Sequence, residues 1–171
     1  MGKLTFLSTN GNGGLVNLKD YNDWSNRWTH IIPGNFSGNG YTDLLFYDQQ
    51  TGDAEFYLSD GSGGIKTIRT VRGTWRKTWT HIIPGNFSGS SFTDLLFYEG
   101  STGSAEFYVN DGNAQLRKIQ TIAPGGWRKT WTHIIPGNFG GNEYTDLLFY
   151  EGSTGSAEFY ANDGNALISQ H

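Results

Sequence analysis

Apolar and polar positions alternate along this chain in short bursts, and no window keeps the three-to-four spacing of a helix face. Thr80-His-Ile-Ile83 is rich in β-branched residues and runs into Pro84-Gly85. Asp94-Leu-Leu-Phe-Tyr98 is a compact apolar run closed by the turn Glu99-Gly-Ser-Thr-Gly103. Ala105-Glu-Phe-Tyr-Val109 alternates up to Asn110-Asp-Gly112, and Leu116-Arg-Lys-Ile-Gln-Thr-Ile122 resumes the pattern. Clusters of Gly, Asn, Asp and Pro separate these four runs, so the stretch predicts four short strands and an all-β fold.

The set of four recurs. Trp28, Trp79 and Trp131 each open an identical Trp-Thr-His-Ile-Ile-Pro-Gly-Asn-Phe segment, at offsets of 51 and 52 residues. Each is followed by Thr-Asp-Leu-Leu-Phe-Tyr and then Ala-Glu-Phe-Tyr. A fixed period of this size marks a repeat architecture whose units cannot bury their apolar faces alone. The repeats span 28–78, 79–130 and 131–171, the last truncated, in one repeat domain covering 1–171. Residues 4–27 read as a partial repeat, because Phe6 to Gly14 aligns with Phe56 to Gly64 if one residue of slip is allowed. From Trp75 to Gly112 against Trp127 to Gly164, only five of 38 positions differ. Such closeness fits recent duplication or engineering.

Charge and composition narrow the function. A net charge of −4 argues against nucleic acid, whose phosphates call for a basic face. The 25 glycines suit tight turns, and a 15% aromatic content supplies flat rings for packing or stacking. With no cysteine there is no disulfide framework and no thiol chemistry. No apolar run is long enough to insert in a membrane, and the first residues lack the core of a signal peptide. The chain is therefore expected to be soluble, with its compartment open.

The segment Pro33-Gly-Asn-Phe-Ser-Gly-Asn-Gly-Tyr-Thr-Asp-Leu-Leu45, present in three versions, resembles the FG-GAP and VCBS repeat families. Their signature runs Gly-Asp-Phe-Asn-Gly-Asp-Gly-x-x-Asp-Leu. The resemblance implies β-propeller blades of four antiparallel strands, about three to three and a half per chain. Because a propeller typically closes with roughly four to eight blades, a partner chain is expected to complete the ring, as a homodimer or another homo-oligomer. A β-trefoil, also threefold, is the alternative. The family loop holds calcium through several carboxylates. Here the matching positions are Asn35, Ser37, Asn39 and Asp43; Asn86, Ser88, Ser90 and Asp94; and Asn138, Gly140, Asn142 and Asp146. One carboxylate remains per loop, so no calcium or other cofactor is expected, and these side chains are expected to bond the turn's own backbone.

Candidate chemistry is sparse. His30, His81 and His133 share one repeat position, and a packed histidine is a better reading than a metal triad. Glu55, Glu106 and Glu158, like Asp43, Asp94 and Asp146, are copied with the repeat. Paired carboxylates can hydrolyse glycosides, but an enzyme needs one asymmetric site, so no catalysis is expected.

The tryptophan pairs are more informative. Trp24 and Trp28 bracket Ser-Asn-Arg; Trp75 and Trp79, like Trp127 and Trp131, bracket Arg-Lys-Thr. The linker carrying them is expected on the same side as the turn after Leu-Leu-Phe-Tyr. An indole offers an apolar face to a pyranose, and Arg or Glu beside it can bond the hydroxyls. The chain thus resembles bacterial propeller lectins, which implies repeated non-catalytic glycan binding. A protein-binding or structural module is the alternative. The expected sugar-contacting set is Trp75, Arg76, Glu106 and Tyr108, with the copies Trp127, Arg128, Glu158 and Tyr160, and Trp24, Glu55 and Tyr57. Trp28, Trp79 and Trp131 are expected either as wedges between blades or as stacking platforms. Ser25 stands where the later repeats have Arg76 and Arg128, so the first site is expected to be weaker or differently selective.

Overall fold

The computed structural model describes residues 2–165 and the backbone of 168–170. The end of the third repeat at 166, 167 and 171 lies outside the described residues. A hairpin of β1 (Gly2–Thr9) and β2 (Leu15–Trp24) is followed by three four-stranded antiparallel sheets. The first holds β3 (His30–Gly34), β4 (Asp43–Asp48), β5 (Asp53–Ser59) and β6 (Ile65–Val71). The second holds β7 (His81–Gly85), β8 (Asp94–Glu99), β9 (Ser104–Asn110) and β10 (Leu116–Ile122). The third holds β11 (His133–Gly137), β12 (Asp146–Glu151), β13 (Ser156–Asn162) and β14 (Ile168–Gln170). Every sheet is a simple meander, and successive sheets meet through their first strands, β3 against β7 and β7 against β11. Three separate meanders are a different architecture from the β-trefoil. No helix among the described residues is long and apolar enough to cross a membrane.

The strands follow the expected positions with one local difference. Each first strand runs through its proline to the next glycine, pairing Pro33 with Leu44, Pro84 with Leu95 and Pro136 with Leu147. Proline is tolerated because β3, β7 and β11 are edge strands, where a missing N–H breaks no ladder.

Apolar cores lie between sheets. Leu95 and Phe97 of β8 pack into a cluster with Leu45, Tyr47 and Phe56 of the first sheet. Leu96 and Tyr98, pointing the other way, join Leu147 and Phe149 of the third. The middle sheet is covered on both faces, which is why its central strand reads as an unbroken apolar run. The repeat motif also clamps neighbours together. Asn35 N donates to Thr93 Oγ1 at 2.8 Å and Thr93 N returns a bond to the Asn35 carbonyl at 2.9 Å. Asn86 and Thr145 repeat the exchange at the same two distances.

The amino-terminal hairpin pairs in the manner of the outer two strands of such a sheet. Its pairing slips between Phe6 and Leu7, as β5–β6 does between Phe56 and Tyr57 and β9–β10 between Phe107 and Tyr108. A shared bulge position aligns Phe6 to Gly14 with Phe56 to Gly64 without any gap, so the slip expected from sequence is not needed.

Candidate binding site

Between β6 and β7 the chain crosses from the first sheet to the second, carrying Trp75, Arg76 and Trp79. Gly52 shapes this passage. Its φ is 78°, and a Cβ there would collide with the Trp75 carbonyl oxygen. Gly103 plays the same part for Trp127, at φ 71°. Without side chains these turns bond the linker directly, Trp75 N to Gly52 O at 3.3 Å and Trp127 N to Gly103 O at 3.0 Å. The linker therefore sits beside the turn after Leu-Leu-Phe-Tyr.

In the second and third pairs the first tryptophan, expected to contact a sugar, takes the wedge position expected of the second. Trp75 is the wedge. Its ring lies 5.8 and 6.1 Å from Tyr47 and Phe56 of one sheet and 5.1 Å from Phe97 of the next. Trp127 likewise touches Tyr98 and Phe107 on one side and Phe149 and Tyr160 on the other. Trp79 and Trp131 pack on Phe97 and Phe149 of their own sheets. They are only 3% and 4% exposed, and each is roofed by a guanidinium, Arg76 at 4.8 Å and Arg128 at 5.0 Å. An indole covered on both faces is no free stacking platform, so these two support the arginine instead.

A cavity of about 290 Å³ opens at this junction. That is near the lower end of small-molecule pockets, roughly 300–1,000 Å³. Its floor is Trp75, Trp79 and Phe97, and its polar wall is Arg76, Glu106 and Tyr108. Arg76 Nη2 lies 2.7 Å from Glu106 Oε1, the Tyr108 hydroxyl donates to Glu106 Oε2 at 2.5 Å, and Lys118 Nζ stands 3.3 Å from Oε1. Glu106 is 3% exposed, so these donors offset the cost of burying its charge. Burial, and then the Glu106 carboxylate, push the Tyr108 hydroxyl well above its ordinary value. Tyr57 and Tyr160 are pushed to about 12 by burial and by Glu55 and Glu158. All three tyrosines thus remain hydrogen-bond donors across the physiological range. Arg76 is half exposed and fixed at one end, which leaves guanidinium N–H groups facing the cavity.

The arrangement is rebuilt at each junction with substitutions. At the third sheet Arg128 pairs with Glu158, and the Tyr160 hydroxyl donates to the same carboxylate at 2.8 Å. At the first sheet Trp24 packs on Phe46 and Tyr57, and Trp28 on Phe46. Ser25 does not leave that site without a guanidinium. Arg27 lies over the Trp28 ring at 4.3 Å, 2.6 Å from Asp53 and 3.6 Å from Glu55, and Arg72 reaches Glu55 at 2.8 Å. Sequence reasoning passed over Arg27, Arg69, Arg72 and Lys118. Only Arg27, next to Trp28, carried a visible signal.

The other recurrent side chains serve the scaffold. Asp43 Oδ2 accepts from Phe36 N and Ser37 N at 3.0 and 2.8 Å, and Oδ1 accepts from Ser59 N at 2.9 Å. Asp94 and Asp146 repeat this pattern, so the loop carboxylates organise their own turns. His30, His81 and His133 pack on Tyr47, Tyr98 and Tyr150 along the first strands. Among the described residues, no three His, Cys, Asp or Glu side chains are grouped to hold a metal ion.

Fold and site together define an all-β repeat scaffold with an aromatic–guanidinium–carboxylate cavity between the first and second sheets and related side-chain clusters at the other two junctions. No family model matches the chain, and no curated protein matches it in sequence. Among solved structures the chain is similar to an Agrocybe aegerita lectin, whose structure describes specific recognition of non-reducing terminal N-acetylglucosamine. The TM-score is 0.66 over 96% of this chain, at 14% identity. The chain spans 44% of that lectin chain. At this identity the likeness concerns the fold.

Proposed function

We propose that this protein is a multivalent, non-catalytic carbohydrate-binding protein with a shallow sugar site at each junction between sheets. The observation that carries this reading is the cavity at Trp75, Arg76, Glu106 and Tyr108, whose arginine–glutamate–tyrosine arrangement recurs beside Trp127 and Trp24. An exposed guanidinium anchored to a buried carboxylate, beside an indole edge, offers directional donors next to an apolar surface. That combination suits a polyol ring better than a purely apolar ligand. Similarity of fold to a lectin supports the same reading. Separate weak sites gain avidity when several engage one glycan surface. The carboxylates at these junctions are held by arginine and tyrosine in every copy, which favours binding over hydrolysis.

In this reading the sheets are propeller blades of the FG-GAP/VCBS type, and a second copy completes the ring. Phe139 and Phe159 support the second copy. They are 49% and 45% exposed, whereas Phe36, Phe56, Phe87 and Phe107 in the same positions are at most 1% exposed beneath a following sheet. One copy spans 44% of the lectin chain, a length that two copies together would approach.

The test is calorimetric titration with N-acetylglucosamine-terminated oligosaccharides, preceded by a glycan array. Saturable binding that weakens in Arg76→Ala and Arg128→Ala is expected. No saturable response to any saccharide would sink the reading in favour of a protein-binding or structural module. Light scattering tests assembly separately: a dimer is expected, and a monodisperse monomer overturns ring closure by a second copy.

A further inference from the structure

We propose that the cavity between the first and second sheets takes an anionic saccharide, one bearing a carboxylate or a sulfate ester, while its two counterparts take neutral ones. This rests on the carbohydrate-binding reading and adds the ligand's charge class. Related motifs at the three junctions conceal different charge balances, because the preceding repeat contributes side chains to each junction.

At the middle junction the wall contributed by the preceding repeat is Arg69 of β6, and the far wall ends in Lys118 of β10. Arg76 completes three cations around the single lining carboxylate, Glu106. Both Arg76 and Lys118 already address Glu106, at 2.7 and 3.3 Å, and Arg69 has no carboxylate partner among the described residues. Glu99 stands behind Arg76 at 3.9 Å, and counting it still leaves a surplus positive charge. Glu106 and Glu99 are 3% and 8% exposed, while Arg76 and Lys118 side chains are about half exposed. The negative charges therefore lie deep and the positive ones at the mouth. An anion entering this cavity meets cations first and finds one guanidinium that no carboxylate holds.

The neighbouring junctions lack the surplus. At the first, Arg27 and Arg72 are matched by Asp53 and Glu55 within 3.6 Å. Lys19, which holds the position of Arg69, lies over the Tyr21 ring at 5.4 Å and its charge acts on the Asp60 carboxylate, so it adds no unmatched cation. At the third, Arg128 faces both Glu158 and Glu151, and the position of Arg69 is occupied by Gln120. The register makes this equivalence firm: Lys19, Arg69 and Gln120 pair with Phe6, Phe56 and Phe107.

Calorimetry with three oligosaccharides that differ only in the terminal residue tests the proposal: glucuronate, its carboxyl-reduced glucose counterpart, and the glucose 6-sulfate counterpart. The charged forms are expected to bind one site per chain at least roughly tenfold tighter than the neutral form. Arg69→Gln is expected to erase that preference, and Gln120→Arg to add a second charge-preferring site per chain. The glucuronate and sulfate arms separate the two sources of negative charge; preference for either supports the proposal. Equal affinity for charged and neutral forms, or a preference indifferent to Arg69→Gln, overturns it while leaving carbohydrate binding intact. Failure of all three, together with silence across a glycan array, removes the underlying carbohydrate reading and this proposal with it.

Discussion

The second and third sheets are nearly the same sequence in two environments. Five of 38 positions separate Trp75–Gly112 from Trp127–Gly164, yet Phe87 is 1% exposed and Phe139 49%. Phe107 is fully buried and Phe159 is 45% exposed. The clamp differs as well. Asn86 Nδ2 donates across the junction to the Glu143 carbonyl, whereas Asn138 Nδ2 turns back to Asn142 O in its own loop. Burial in such a chain belongs to the pair of repeats, and the same side chain is core or surface according to whether another sheet packs over it.

The largest expected effect breaks this comparison at its centre. Phe107→Ala should cost about 3–5 kcal/mol in urea unfolding, as for a buried aromatic. Phe159→Ala should cost under about 1 kcal/mol in the isolated chain, since little area leaves water. Equal losses would mean that the third sheet is covered in solution.

The loop aspartates give the next contrast. Asp94→Ala removes the acceptor of the Phe87, Ser88 and Asn110 amides and should cost about 3 kcal/mol. Asp146→Ala should cost about half as much, because Phe139 and Gly140 are exposed and water can replace the carboxylate. Matched thermal melts of the two variants check this.

Tyrosine ionisation gives a third. Burial raises Tyr98 to about 12, and burial with Asp48 raises Tyr47 to about 12, from 10. The unfolded chain releases these protons first, so the stabilisation is complete below pH 10 and is lost as pH rises from 10 to 12. Each tyrosine contributes about 2–3 kcal/mol of that loss. Absorbance at 295 nm should rise together with loss of the near-ultraviolet circular dichroism. Tyr98→Phe should flatten the alkaline limb while losing, at neutral pH, about 1 kcal/mol with the bond to the Arg128 carbonyl.

The smallest effect on stability concerns the arginines. Arg76→Ala should change unfolding by less than about 1 kcal/mol, since Arg76 is half exposed and both Lys118 and the Tyr108 hydroxyl still hold the buried Glu106 carboxylate. Its effect on saccharide titration should be much larger. The reverse ranking would mean that Arg76 only supports Trp79.

Much of the scaffold was legible in the chain. The strands and turns follow from alternation and Gly-Asp-Asn clusters, because those signals act within a few residues. The recurrence of Trp75, Arg76, Glu106 and Tyr108 was also visible, and the structure brings these four together at one cavity. Hidden were Arg69 and Lys118, which enter from strands whose bulge shifts their register. The roles of Trp75 and Trp79 were hidden too, because the linker's path past Gly52 decides which ring meets two sheets.

By itself, the sequence determined an all-β repeat chain: local turn chemistry and period-two patterning specify each meander without reference to its neighbours. Only the tertiary structure decided which Phe is core, which Trp is a wedge, and how charge is distributed among the three junctions. Those properties arise between repeats, where residues some thirty to sixty positions apart meet, and no local pattern encodes the partner.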